Sequence, residues 1–454
     1  MNTQTLAHAH GRRRPEYERT AAPVITHLGV GAFARAHVAV YADELLRRGQ
    51  PALIRGISLR SPRAQDQLEP QDGLFTVAVR EPGEEVPLQV IGALASVKTG
   101  PVAALEAMTA PTTKLVTLTI TEKGYEAAEE EPAPGALPSS TPALIALALQ
   151  RRRQVGLDPP IFASLDNLLD NGNILRTRVL AAADRIDPAL SAWIAGEVRF
   201  PSSVVDRMVP TPTERDLEEI ADGLGLRDEA AVAAEQHRSW FIRSVDGLEP
   251  LREVGVELVD DVAPFERRKL WLLNGPHSAV AYAGLLAGHD TIAGAVADPT
   301  IARFVRDLVG DTLEVAEFPA ALRPAAFAGE ALRRFANPAL GHTCAQVGAD
   351  GSSKLPQRLL PVVAACSLRS LRSTRFALVA AIWVAAAGGV DVRGVRLPRL
   401  EDPMASDLRA AAAAPNGLHE LSRVAFGDTV FATEVASMLQ RLTTEGLSTL
   451  KEEG

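Results

Sequence analysis

The stretch VITHLGVGAFARAHVAVYADELLRRG, residues 24–49, reads as a strand, a glycine turn and a helix in immediate succession. Residues 24–28 have the apolar, β-branched character of a buried strand, and VAVYADELLRRG repeats apolar residues at helical spacing before stopping at Gly49. Between them, Gly29-Val30-Gly31-Ala32-Phe33-Ala34 satisfies G-x-G-x-x-A, in which small residues let the backbone approach a pyrophosphate at a helix N-terminus. The motif alone is weak, since a tight structural turn would explain it too. Its place between a strand and an amphipathic helix is what points to dinucleotide binding. Gly29, Gly31, Ala32, Phe33, Ala34 and the adjoining Arg35 are the cofactor-side residues expected of this turn.

Further strand signals follow in ALIRGISLR, LQVIGALASV, KLVTLTIT and PPIFASLD, with helical segments between them. That alternation predicts an α/β, Rossmann-type, doubly wound parallel sheet over residues 21–262. EEEPAPGALPSSTP, residues 129–142, reads as a surface loop. After about residue 262, alanine- and leucine-rich helical patterns take over, predicting a mainly α-helical C-terminal domain over 263–454. An acidic residue near the end of the second strand normally binds the free 2′-hydroxyl of NAD. Here Ser58-Leu59-Arg60-Ser61-Pro62-Arg63 has no carboxylate, so Arg60 and Ser61 are expected to accommodate a 2′-phosphate, allowing NADP as well as NAD.

A chain of 454 residues exceeds what one hydrophobic core usually supports, so two domains are expected. The net charge of −9 offers nucleic acid and anionic membranes no general attraction. Cys344 and Cys366 are the only cysteines, without the spacing of a disulfide framework or a thiolate zinc site, which fits a cytoplasmic protein without a metal. Residues 1–20 contain GRRRPEYERT but no apolar run, and read as a polar, disordered tail rather than a signal peptide. No apolar stretch reaches about 18 residues; FALVAAIWVAAAGGV, residues 376–390, reads as a buried helix ending at its glycine pair.

KLWLLNGPH, residues 269–277, gathers a lysine, an amide and an imidazole within about two helical turns. At about 100° per residue, Asn274 falls about 140° and His277 about 80° from Lys269, so all three could face one cavity. Lysine needs burial or a neighbouring cation to become a useful base near neutrality, and Arg267, Arg268 and the surrounding leucines and tryptophan supply both; an exposed helix lysine is the plain alternative. Pro276 predicts a break, with one helix ending near Leu273 and another starting at Asn274 or Gly275 as N-cap.

Seven ordered segments carry a resemblance: ITHLGVGAFARAH, TLTITEKGY, ASLDNLLDNG, FPSSVVDRMVP, FERRKLWLLNGPHSAVAYAGLLAG, RFANPALGH and DGSSKLPQR. From about residue 24 to the C-terminus the chain resembles the long-chain mannitol dehydrogenase family of polyol and aldonate dehydrogenases, which includes fructuronate reductases. The resemblance implies zinc-independent hydride transfer between NAD or NADP and a secondary alcohol or ketone, with Lys269 as general acid and base. It implies that Asn167 and Asn274 hydrogen-bond the reacting oxygen, that His277 orients the substrate, and that Asp206 and Glu266 tune or relay the proton of the lysine. Glu122 and Asp166 are implied on the cofactor side, and Lys123, Lys354 and Arg358 on the substrate side. The last two favour the sugar-acid pair D-mannonate and D-fructuronate over D-mannitol and D-fructose, although helix capping would also explain them.

The sequence departs from the family pattern in three places. Pro276 stands where a small hydroxyl residue is usual, Arg243 and Ser244 occupy normally acidic positions, and the loop between TEKGY and ASLDN is short. No tyrosine has lysine four residues later, as a short-chain dehydrogenase requires, and no zinc ligand set of a medium-chain enzyme is recognisable. Another polyol or sugar-phosphate dehydrogenase of the same fold, or a catalytically silent NAD-binding sensor, are the alternatives. The expected partner is a small sugar acid or polyol, with the chain a monomer or small homo-oligomer.

Overall fold

The computed structural model describes residues 1–8, 14–81, 83, 86–121, 124–125, 137–393 and 395–453. The chain divides into two units, Met1–Ala263 and Pro264–Gly454.

In the first unit, β1 (Ile25–Leu28), β2 (Ile54–Ser58), β5 (Leu94–Thr99), β6 (Leu115–Leu118) and β7 (Ile161–Ser164) form one sheet in the order β5-β2-β1-β6-β7, with every pairing parallel. β1 and β6 are buried at every position, as central parallel strands covered on both faces must be. One face packs on Tyr41, Leu45 and Leu46 of the helix Val38–Arg47; the other meets Leu105, Ile145, Leu149 and Val179 from three later helices. This is the doubly wound, Rossmann-type arrangement.

Two smaller sheets flank it: β4 (Leu88–Ile91), β3 (Phe75–Val79) and β9 (Val232–Ala234) in one, and β11 (Glu257–Val259), β10 (Ser239–Arg243) and β8 (Ser203–Asp206) in the other. The single apolar run LQVIGALASV thus becomes two strands in different sheets. Gly92 divides them, its N–H donating to Asp43 Oδ1 at 3.1 Å, and Asp43 is wholly buried.

The described part of residues 1–20, expected as a disordered tail, makes packed contacts. Met1 and Leu6 pack on a cluster that includes Leu74, Leu88, Val90, Ile220 and Leu224. Tyr17 packs on the main core and donates to Asp43, while Arg19 donates to the carbonyl oxygens of Gly92 at 2.8 Å, Leu94 at 2.9 Å and Asp72. A polar composition concealed two anchors: one aromatic ring, and one guanidinium with five donors for backbone acceptors that the strand ends leave open.

The second unit is helical. Its central helix, Thr374–Gly388, is buried from Phe376 to Gly388 on every side and stops where Gly389 turns left-handed at φ +70°. No described helix is long and apolar enough to cross a membrane.

Arg19→Ala is expected to lower unfolding free energy by about 1–3 kcal/mol, because it leaves three carbonyls without their charged donor. Urea unfolding checks this, and a midpoint equal to that of the parent would mean that the segment contributes nothing to the fold.

Candidate active site

The glycine turn follows β1 directly. Gly29 adopts φ +100°, and a Cβ there would stand 2.0 Å from the Thr119 carbonyl oxygen, so only glycine fits. The turn is tied down by Gly29 N–H to Ile57 O at 2.8 Å and Thr119 Oγ1 to Gly29 O at 2.7 Å. Beneath it lies His27, 1% exposed, with Nδ1 2.8 Å from Thr117 Oγ1 and Nε2 3.1 Å from both Gly29 O and Thr119 Oγ1. Burial pushes this histidine down to about 4, against a smaller opposing effect of the Gly29 carbonyl, so the ring is neutral and supplies one donor and one acceptor. Gly31 differs: a Cβ there would meet nothing within 4 Å, which leaves its backbone open to a close-approaching group.

The expected helix comes in two pieces. Ala32–Ala36 ends at His37, whose φ −121° and ψ −85° are not helical, and Val38–Arg47 begins beyond it. His37 is fully buried, stacks on Phe33 at 4.9 Å and donates from Nε2 to Ser239 O at 3.0 Å; burial pushes it down to about 3. Arg35, expected at the cofactor, bonds protein backbone: its guanidinium donates to Ala230 O and, at 3.4 Å, to Gly31 O. Arg60 and Ser61 are exposed just beyond the C-terminal end of β2, where Ser61 Oγ accepts from Arg63 N–H at 3.3 Å.

Glu122 and Lys123 lie outside the described residues. Their neighbour Thr121 is held at φ +62°, a conformation that costs a non-glycine residue energy, by Asp166. The Asp166 carboxylate accepts from Thr121 N–H at 2.9 Å, Ile120 N–H at 3.2 Å and Tyr125 Oη at 2.6 Å. Asp166, expected on the cofactor side, clamps the exit of β6 through these three bonds. Asn167, the next residue, is exposed beyond β7, at the carboxyl end of the parallel sheet where ligands bind in such folds.

Sequence reasoning missed Asn171. Its wholly buried amide donates to Asp166 O at 2.9 Å and Ser203 O at 2.8 Å and accepts from Ser203 N–H at 2.9 Å, stitching the Asn167 loop to β8. The only signal was its place in ASLDNLLDNG. At the far end of β8, buried Asp206 has Oδ2 3.5 Å from His237 Nε2. The adjacent Arg207 turns elsewhere, to Glu235 O at 2.9 Å and Ala36 O.

In the second unit the break expected at Pro276 does not occur. Ala263–Lys269 is α-helical, Leu270–Asn274 is π-helical and Gly275–Ala287 is α-helical again, with Asn274 at φ −68°, ψ −37° and Gly275 at φ −62°, ψ −57°. The Gly275 N–H donates to Leu270 O, five residues back. Proline lacks an N–H and clashes with the carbonyl four residues before it; one wider turn accommodates that without interrupting the helix. The widening also changes the faces. In a uniform α-helix Lys269 and Asn274 lie about 140° apart, whereas a turn closed between residues five apart draws them toward one side.

Lys269 is half-buried at the end of the first helical segment, with Glu266 one turn earlier and 7% exposed. Asn274, 8% exposed, closes the wide turn. His277 follows three residues later, stacked on Phe335 at 4.6 Å and 12° with His342 at 6.0 Å, both rings belonging to RFANPALGH. Burial lowers the pKa of His342.

Lys354 and Arg358 both bond protein groups. The Lys354 ammonium donates to Ala349 O at 2.6 Å and Val347 O at 3.5 Å, capping the helix Cys344–Gly348. Arg358 donates to Ser278 Oγ at 2.8 Å and Asn274 O at 3.4 Å.

Two family models match this chain: the mannitol dehydrogenase Rossmann domain over residues 23–250 and the mannitol dehydrogenase C-terminal domain over residues 261–442. The chain belongs to the mannitol dehydrogenase family. It is 35% identical to the D-mannonate oxidoreductase of Escherichia coli K12 over 90% of its own length and 89% of the relative's. It is 31% identical to a mannitol 2-dehydrogenase of Pyricularia oryzae, over 96% and 94% respectively. The fold matches a solved Pseudomonas fluorescens mannitol 2-dehydrogenase, a ternary complex with NAD and D-mannitol, at a TM-score of 0.88 with 29% identity, over 100% of this chain and 98% of that one. As a member of the mannitol dehydrogenase family the chain is an oxidoreductase acting on CH–OH groups.

The buried histidines make stability depend on pH. His27 has a folded pKa near 4, below the ordinary 6.5, so the unfolded chain binds its proton more readily. Its neutral form therefore contributes stability that is present above about pH 6.5 and is lost as pH falls toward 4, about 3 kcal/mol in all. Urea unfolding at several pH values should show a slope across this window that is shallower in His27→Asn; an unchanged slope would assign it to other groups.

Proposed function

We propose that the chain is a zinc-independent, NAD(P)-dependent dehydrogenase interconverting a secondary alcohol of a sugar acid or polyol and its ketone. D-mannonate and D-fructuronate are favoured over D-mannitol and D-fructose. The observation that carries the reading is the π-helical turn Leu270–Asn274 directly after Lys269, whose wider geometry turns residues five apart, such as Lys269 and Asn274, toward one side.

The glycine turn fits the cofactor: Gly29 has the positive φ and the absent Cβ that the fingerprint requires, and Gly31 is open to close approach. Gly29, Gly31, Ala32, Phe33 and Ala34 would hold its diphosphate, with Arg60 and Ser61 at the end of β2 taking the 2′ position of the adenosine ribose. The nicotinamide, when bound, supplies the hydride acceptor or donor. Lys269 Nζ removes the hydroxyl proton in oxidation and returns it in reduction. Asn274 and Asn167 donate amide N–H groups to the oxygen that gains negative charge, where fixed donors in a site that excludes water are worth far more than solvent. His277, its ring fixed against Phe335, orients the neighbouring hydroxyls. Glu266 and Asp206 tune and relay the proton.

The sugar-acid preference rests on the identity shared with the D-mannonate oxidoreductase. The tolerance of NADP rests on the two basic residues, Arg60 and Arg63, at the end of β2, where no carboxylate stands. Buried, free Cys344 and Cys366 suit a reducing cytoplasm.

Lys269→Ala is expected to lower kcat by about 10²- to 10⁴-fold while dinucleotide binding, followed by fluorescence titration, is retained. A sensor would show neither turnover nor sensitivity to this change. D-fructuronate and D-fructose, each with NADH and NADPH, decide substrate and cofactor: higher kcat/KM on D-fructose overturns the sugar-acid preference, and a strong preference for NADH overturns the tolerance of NADP.

A further inference from the structure

The helix Gly351–Arg358, which carries both cationic side chains of DGSSKLPQR, meets the wide turn at its C-terminal end in three ways. Gln357 O accepts from the Trp271 indole N–H at 3.3 Å. Arg358 O presses on Gly275, where a Cβ would stand 3.2 Å from it and 3.4 Å from Leu270 O. The Arg358 guanidinium bonds Ser278 Oγ at 2.8 Å and Asn274 O at 3.4 Å. Every residue gripped lies in the π-helical turn or within four residues of it.

The other end of the same helix is anchored to the core. Gly351 lies flat on Trp383, where a Cβ would stand 2.2 Å from the indole nitrogen. That nitrogen donates to Asp402 Oδ2 at 3.0 Å, which also accepts from Ser352 N–H at 2.9 Å. Trp383 is 1% exposed in the central helix of the unit. A rigid strut thus runs from that core to the one turn whose geometry is unusual. π-helical turns are rare and poorly bonded, and persist where their surroundings determine them.

We propose that Arg358 is a positioning residue: it holds the wide turn in register and fixes the direction of the Asn274 side chain, for neutral and acidic substrates alike, and it is not the carboxylate ligand. A guanidinium suits this task because one amino group, Nη1, with two N–H donors, engages a side-chain hydroxyl and a main-chain carbonyl at once, with charge-assisted bonds. The inference rests on the reading of Asn274 as a donor to the reacting oxygen. It replaces the substrate contact that the sequence alone assigned to Arg358.

The test compares Arg358→Gln, Arg358→Lys, Ser278→Ala and Asn274→Ala, with kcat and KM measured on D-fructuronate and on D-fructose. Arg358→Gln should lower kcat by about 10²-fold, the cost of a misplaced catalytic group, by the same factor on both ketoses and with little change in KM. Arg358→Lys should recover part of that loss. Ser278→Ala, which removes only the nearer acceptor of the guanidinium, should give a smaller loss with the same kcat-only signature, and keeps the proposal testable if Arg358→Gln fails to fold. A rise in KM confined to D-fructuronate would make Arg358 a carboxylate ligand and overturn the proposal, as would unchanged kinetics in both Arg358→Gln and Ser278→Ala. If Asn274→Ala keeps full turnover, the reading of the site fails and the proposal with it; if Asn274→Ala is inactive while Arg358→Gln is unaffected, the proposal alone fails.

Discussion

One hydrogen bond governs the helix that carries Lys269: the Gly275 N–H to the Leu270 carbonyl, five residues back. It opens the helix by a single residue just before Pro276, where a regular turn would set a proline ring against a carbonyl. The residues on either side stay helical, so Lys269 and His277 remain on one rigid element. A loop at this point would have freed them to move independently. Glycine at 275 is part of the same constraint, since the Arg358 and Leu270 carbonyls leave a side chain there little room.

The nucleotide-binding unit solves a related problem with a different device. Its glycine turn must leave β1 at a positive φ and pass within contact of Thr119, and an apolar floor would leave the Gly29 carbonyl with only the Gly31 N–H as donor. Neutral His27, with Thr117 and Thr119, supplies a satisfied polar floor in the centre of a buried sheet. Asp166 and Asn171 do similar work at the ends of β6 and β7, using side chains to bond backbone groups that the strands no longer pair. Ordered loops of this kind hold exposed side chains such as Asn167 in place.

The strand, turn and helix at residues 24–49 were legible because period, glycine spacing and order agree there, and the helical C-terminal unit because its apolar repeats are long. The division of LQVIGALASV was not, since what separates its halves is Asp43 on a distant helix, invisible in a local window. The proline at 276 signalled a disturbance, but a fixed 100° per residue cannot represent a turn of different width, so the sequence reading replaced the π turn by a break. Lys354 shows a further limit: charge in a functional-looking segment does not reveal whether backbone carbonyls have already taken it. Family resemblance pointed to the segments that carry the site, while the residues that hold them, Asn171 and Phe335 among them, emerged only from the packing.

The central claim is that Lys269, at the mouth of this turn, carries the proton of the reacting hydroxyl. Chemical rescue measures it directly: turnover of Lys269→Ala on the preferred substrate in the presence of small primary amines of graded pKa. The account predicts a rate that rises with amine concentration and follows amine basicity, because the vacated position admits a substitute base. A rate independent of added amine, in a variant that still binds the dinucleotide, would contradict it.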